Sequence, residues 1–140
     1  MLFVCSSGNK QHDISIEEVY PASYELDNII VVSANDAEGK LYKYSLPVPK
    51  VDVLAPGENI YCILPEDDRV YMEGTSLATA YVTGAALLKS NYPELSSKQI
   101  KEIIKKSASD SEAKDINCNY IQCGTLDIKK SLKVAEKLSK

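Results

Sequence analysis

The sequence predicts an α/β fold, and three stretches of the 140-residue chain carry that prediction. The run Ile29-Ile30-Val31-Val32-Ser33-Ala34 is β-branched and apolar, the composition of a buried strand. From Gly74-Thr75-Ser76 the chain stays small or apolar through Ala85-Ala86-Leu87-Leu88, which predicts a helix packed into a core. Behind it come two amphipathic helices. In one, Ile100, Ile103, Ile104 and Ala108 share a face; in the other, Ile128, Leu132 and Ala135 point inward.

The remaining elements follow in chain order. Leu2-Phe3-Val4-Cys5 reads as an interior strand running out into Ser6-Ser7-Gly8-Asn9, which is ordinary turn chemistry taken alone. Tyr20-Pro21-Ala22-Ser23-Tyr24 precedes the buried strand. Leu46-Pro47-Val48-Pro49 is irregular, because proline limits strand pairing. Glu66-Asp67-Asp68 reads as a solvated turn between two strands; the alternative, given its closeness in sequence to the serine segment, is a charge that biases a nearby cleft toward basic peptides. Ser96-Ser97-Lys98-Gln99 is a capping box that opens the first amphipathic helix, and Asp127 is placed to cap the second. There are no internal repeats and no low-complexity tract, so residues 1–140 read as a single structural unit.

Gly74-Thr75-Ser76-Leu77-Ala78-Thr79-Ala80-Tyr81-Val82-Thr83-Gly84 carries the chemistry. Serine at a helix start is commonly no more than an N-cap. Here a glycine precedes it and allows close approach, and a helix N-terminus offers unpaired N–H groups beside the hydroxyl. A hydroxyl nucleophile beside donors aimed at developing negative charge is what acyl transfer requires. The register Gly-Thr-Ser-x-Ala, with Val82 and Gly84 following, resembles the serine motif of the subtilisin-like serine proteases, the subtilases of peptidase family S8. Ala80 and Tyr81 depart from the Pro and His that the family commonly has there. Alanine restores a backbone donor and favours helix, so that change is mild.

The resemblance extends over most of the chain and in the family's order. Residues 2–9 resemble the strand that ends in the oxyanion asparagine, which makes Asn9 the oxyanion-hole residue and Ser76 the nucleophile. Val51-Asp52-Val53-Leu54-Ala55-Pro56-Gly57 resembles the family's strand and Ala-Pro-Gly turn, and Gly124-Thr125-Leu126-Asp127 leads into the terminal helix. The resemblance therefore implies the C-terminal half of a catalytic domain: a partial three-layer α/β fold with a mostly parallel sheet and the serine on a buried central helix. The family's aspartate and histidine precede the asparagine, and no Asp-Ser-Gly, Asp-Thr-Gly or His-Gly-Thr occurs in this chain. The single histidine, His12, lies in the polar stretch Lys10-Gln11-His12-Asp13 after Asn9, and a surface loop accounts for it.

The functional expectation is a serine-type endopeptidase acting on polypeptides through an acyl-enzyme. Its aspartate and histidine would come from an N-terminal half, upstream or supplied in trans, and the isolated chain would be inactive because serine is a weak nucleophile without a base. A half-sheet would expose an apolar edge and favour association. The alternative of a different class is a non-catalytic remnant or interaction module on the same fold. A nucleotide-binding module finds no Gly-x-Gly-x-x-Gly or Gly-Lys-[Ser/Thr] loop.

No cofactor is required by this chemistry, and Ca²⁺ enters by resemblance alone, through carbonyl ligands that leave no trace in sequence. No Cys/His cluster predicts a metal site. Cys5 and Cys62 sit in apolar strand-like contexts and are expected to be buried; whether Cys118 and Cys123 pair stays open. Residues 1–97 hold 6 basic and 14 acidic side chains, net −8, and residues 98–140 hold 10 and 6, net +4. The basic part falls on amphipathic helices, where a solvated face rather than nucleic-acid binding is expected. No membrane span or signal peptide is visible, which leaves the compartment undetermined.

Overall fold

A computed structural model describes residues 1–9, 18–43, 51–110 and 123–139. Strands β1 (Phe3–Ser6), β2 (Ile29–Asn35) and β3 (Val53–Pro56) form a parallel sheet in the order β1-β2-β3. Cys5 lies opposite Val31 and Val32 opposite Val53, so β2 is the central strand. All seven residues of β2 are buried. A parallel strand covered on both faces needs a continuous apolar run rather than alternation, which is why Ile29–Ala34 reads as it does.

Beyond β3, β4 (Ile60–Ile63) and β5 (Arg69–Met72) make an antiparallel hairpin whose tip is a short 3₁₀ turn at Pro65–Asp67. Glu66, Asp67 and Asp68 are exposed there, as expected of a solvated turn. Helix α1 (Thr75–Ala86) packs across β1, β2 and β3 and is the central helix. It buries Thr75, Ala78, Val82 and Ala85 against the sheet, while Tyr81 and Leu87 on its other side are exposed. Helix α2 (Leu88–Asn91) is a single turn, followed by α3 (Ser97–Ser107) and α4 (Ile128–Leu138).

The main core joins one face of the sheet to the helices. Ile30, Val32, Ala34, Val53 and Ala55 meet Ala78, Val82, Ile100, Ile104 and Ala135. Of the three expected layers, the described residues hold the sheet and this helical layer. The opposite face is covered by Ala22, Val19 and Val51 around Cys5, Ile29 and Val31, and by Cys123 over Leu54. Lys101 and Lys105 reach across from α3 to the buried Asp52 carboxylate, at 3.0 and 2.8 Å.

Both predicted caps form. Ser96 accepts from the Gln99 backbone and Gln99 returns to the Ser96 N–H, and the Asp127 carboxylate accepts from Lys130 N. The inward face of α4 differs from expectation. Ser131 and Ala135 are buried, whereas Ile128 and Leu132 are 42% and 39% exposed. The contact with α3 is set by Ser107 and Ser131, whose hydroxyls lie 2.6 Å apart, and two small side chains turn the helix by about one position. On α3 the buried fourth residue is likewise Ser107, with Ala108 only half-buried at the C-cap. Cys5 and Cys123 are buried free thiols, while Cys62 is only half-buried because β4 belongs to the outlying hairpin. His12, the Leu46–Pro49 stretch and Cys118 lie outside the described residues.

Candidate active site

The carboxyl ends of β1 and β3 grip the first residues of α1. In open α/β sheets this edge is where ligand crevices form. Gly74 is the N-cap of α1 at φ 140° and ψ 163°, a backbone conformation that suits glycine. Its N–H donates to Gly57 O at 2.7 Å, and Gly57 N donates to Asn35 O at 3.0 Å. A Cβ on Gly57 would stand 2.6 Å from Ala34 Cβ and 2.8 Å from Gly74 O, so only glycine permits this crossing.

On the other side, β1 ends and the chain turns through Gly8, at φ 96°, to Asn9. Asn9 Oδ1 accepts from Thr75 N at 2.8 Å and from Thr75 Oγ1 at 2.9 Å. Gly74 offers no side chain to the helix terminus, and Asn9 supplies the missing acceptor from a distant part of the chain. With the amide oxygen engaged by two donors, the amide nitrogen is turned the other way as a donor. It lies against Gly74, where an added Cβ would come within 3.0 Å of Asn9 Nδ2.

Ser76 is the second residue of α1 and is exposed, whereas Thr75 beside it is fully buried. The backbone N–H of a residue in the first helical turn has no intrahelical acceptor, and it lies at the positive end of the helix dipole. The exposed Ser76 thus follows directly on Thr75, the residue that Asn9 grips, at the start of α1. Sequence reasoning selected Asn9 and Ser76 but passed over Thr75 and Gly57, the residues that bring them to the same place. The signal for both was present, since Thr75 adjoins Ser76 in Gly-Thr-Ser and Gly57 closes the Ala-Pro-Gly turn. The one histidine of the chain, His12, falls outside the described residues.

Among the described residues, no group of three or more His, Cys, Asp or Glu side chains is arranged to hold a metal ion. The buried carboxylate, Asp52, is taken up by Lys101, Lys105 and the Val31 N–H, and so offers no vacant acid to a cation. The described side chains thus do not make a calcium site. No helix among the described residues is long and apolar enough to cross a membrane.

Comparison with known proteins agrees with this architecture. The model of the subtilase family, peptidase S8, matches residues 1–123. Subtilisin DY of Bacillus licheniformis is 33% identical over 110 residues, which are 77% of this chain and 39% of that protein. The major intracellular serine protease of Bacillus subtilis strain 168 is 36% identical over 96 residues, 67% of this chain and 30% of its own. The chain thus spans well under half the length of these relatives. Among solved structures, a protease from Pseudoalteromonas arctica PAMC 21717 superposes with a TM-score of 0.82 at 21% identity, covering 96% of this chain and 43% of that one. A chain from the subtilase cytotoxin SubAB assembly gives 0.79 at 24% identity, covering 99% and 50%. At that identity the structural matches speak to the fold alone.

Proposed function

This chain belongs to the subtilase family, and on that premise we propose that it carries the nucleophile and oxyanion hole of a serine-type endopeptidase. Ser76 attacks the scissile carbonyl. The Ser76 N–H and the Asn9 side-chain amide receive the charge that develops on the carbonyl oxygen. The observation that carries this reading is the double hydrogen bond from Thr75 to Asn9 Oδ1. It fixes the amide against the residue that precedes Ser76, and a donor fixed in advance needs no reorganisation during the reaction.

The remaining chemistry requires a base to take the proton of Ser76 and an acid group to orient that base. In this reading both come from sequence bearing the family's Asp and His motifs, joined to these 140 residues or supplied as a separate chain. Until then Ser76 is a poor nucleophile and the chain hydrolyses nothing. Polypeptide is the substrate, and no step requires a cofactor.

A fluorophosphonate probe tests the reading, because it marks only an activated serine. The chain alone should stay unlabelled. Co-folded with a subtilase segment that carries the Asp and His motifs, it should be labelled at Ser76, and Ser76→Ala should abolish the label. Absence of labelling in a proven co-folded complex would favour the non-catalytic module instead.

A further inference from the structure

We propose that the aromatic face of the β4–β5 hairpin docks, in solution, on the lysine-flanked apolar side of α4 in a second copy of this chain. The two surfaces differ, so the contact runs head to tail. It stands independently of the peptidase reading.

The hairpin carries apolar side chains that the rest of the described chain leaves uncovered. Tyr61 lies opposite Tyr71, and Ile63 follows Tyr61 by two residues, so the three share one face. Tyr61, Tyr71 and Ile63 are 52%, 67% and 66% exposed. The two rings pack at 5.3 Å between centroids, which holds the face in shape without hiding it. A two-stranded ribbon is marginally stable by itself in water, and contact on this face would secure it. Paired tyrosines beside an aliphatic side chain are the material of an interface centre.

Helix α4 offers a matching surface. Its small residues Ser131 and Ala135 face the core, which leaves Ile128 and Leu132, one helical turn apart, as an exposed apolar line. Lys129 and Lys133 run beside that line and are exposed as well.

Charge selects the occupant. Every lysine of α3 is paired: Lys98 with Asp27, Lys101 and Lys105 with Asp52, and Lys106 with Glu102. Lys129 and Lys133 on α4 pair with no carboxylate of the described residues, and Glu66 and Asp68 at the hairpin tip pair with no described lysine or arginine. Each apolar surface is thus edged by the charge that the other lacks. Complementary rims of this kind fix the register of an interface and exclude the reversed pairing, in which like surfaces of two copies would repel.

The test is sedimentation velocity on the full chain across a range of concentrations. The chain should associate reversibly, and more weakly at high salt. Reversing charge on either surface, by Glu66→Lys with Asp68→Lys or by Lys129→Glu with Lys133→Glu, should weaken association about tenfold, the sum expected of a few exposed ion pairs. An equimolar mixture of the two variants should recover it, since each reversed surface then meets its opposite. Should a reversed variant fold poorly by circular dichroism, Glu66→Gln with Asp68→Asn should still weaken association roughly two- to threefold. A chain that stays monomeric at every concentration overturns the proposal. So does association that neither reversal changes, which would assign the contact to another surface such as the outer edge of β1. Folded variants that fail to recover association on mixing overturn it too. Ser76→Ala should leave association intact, so the outcome of serine labelling and the outcome of this test are separate.

Discussion

Thr75 donates twice to one oxygen of Asn9, once through its backbone N–H at 2.8 Å and once through its hydroxyl at 2.9 Å. The two residues are 66 positions apart, and the pair ties the end of β1 to the start of α1. The backbone bond caps the helix, and the hydroxyl bond fixes the rotation of the amide. Thr75→Val keeps the shape and the first bond while deleting the second. It should cost about 0.5–1.5 kcal/mol in denaturant unfolding. In the completed enzyme it should lower turnover by less than Asn9→Ala, for which roughly 10²–10³ is expected, the cost known for this donor in subtilisin itself. Thr75→Ser should restore both properties. A Thr75→Val enzyme of unchanged turnover would show that Asn9 does not depend on the hydroxyl.

Gly57→Ala probes the other grip on the same helix start. The new Cβ would lie 2.6 Å from Ala34 Cβ and 2.8 Å from Gly74 O, and neither neighbour is the end of a flexible side chain. Strand and helix would have to separate. Overpacking of this kind costs about 1–3 kcal/mol, and here it also moves Gly74 and the serine behind it. Unfolding of the variant should show a lowered midpoint with an unchanged slope. Gly84→Ala is the control: an added Cβ meets nothing within 4 Å, and the helix should gain or hold stability.

The elements were legible in the sequence because each one has a local cause. Ile29–Ala34 is apolar without a break because β2 is covered on both faces, and the capping box at Ser96 and Gln99 depends only on residues three apart. Where the cause is contact with a distant element, the pattern misleads. Leu132 has the spacing of a core residue, yet the Ser107–Ser131 contact decides which side of α4 turns inward. The candidate site divides in the same way. Gly-Thr-Ser and Ser-Gly-Asn mark the two functional groups, but nothing in either stretch says that Thr75 holds Asn9. The run of small and apolar residues from Gly74 predicts a helix packed into a core, yet the side of α1 that bears Tyr81 is exposed, because the described residues cover only the face that meets the sheet.

Asp52 is the buried charge of the described core, and its partners rank by how deeply they are held. The carboxylate accepts from Val31 N at 2.9 Å, pairs with Lys101 at 3.0 Å and with Lys105 at 2.8 Å; Lys101 also donates to Ile29 O. Asp52→Ala strands two ammonium groups and a strand N–H, which should cost about 3–5 kcal/mol. Lys105→Met leaves the carboxylate with Lys101 and the N–H, and its side chain is 39% exposed, so solvent screening should keep the loss to roughly 1 kcal/mol or less. Chemical denaturation of the two variants checks the order, and a larger loss from Lys105→Met would refute this ranking. The hydrogen bond that Lys105 donates to Asp52 also raises the Lys105 pKa above its ordinary value against the opposing effect of burial. That contribution is complete below the unfolded-state value and fades only as strongly alkaline pH carries Lys105 through its raised pKa.

Cys123 gives the sharper alkaline prediction. It is buried over Leu54, and burial, with the Asp52 charge nearby, pushes the thiol from its ordinary 9.0 up to about 12. A thiol reacts as thiolate, so alkylation in the native state should be slow. At pH 8 the thiolate fraction falls by roughly 10³ between those two values, and iodoacetamide should modify Cys123 slower by about that factor than in the same chain in urea. The sign for stability follows from proton binding. Between 9 and 12 the native state holds a proton that the unfolded state has released, so stability is undiminished below about 9 and declines as pH rises toward 12. Cys123→Ala should lower stability at neutral pH by removing buried volume, yet flatten the decline across that alkaline window. Unfolding midpoints measured at pH 7, 9 and 10.5 separate the two effects. An equally steep decline in the variant would assign the alkaline loss to the lysines on α3 and not to the thiol.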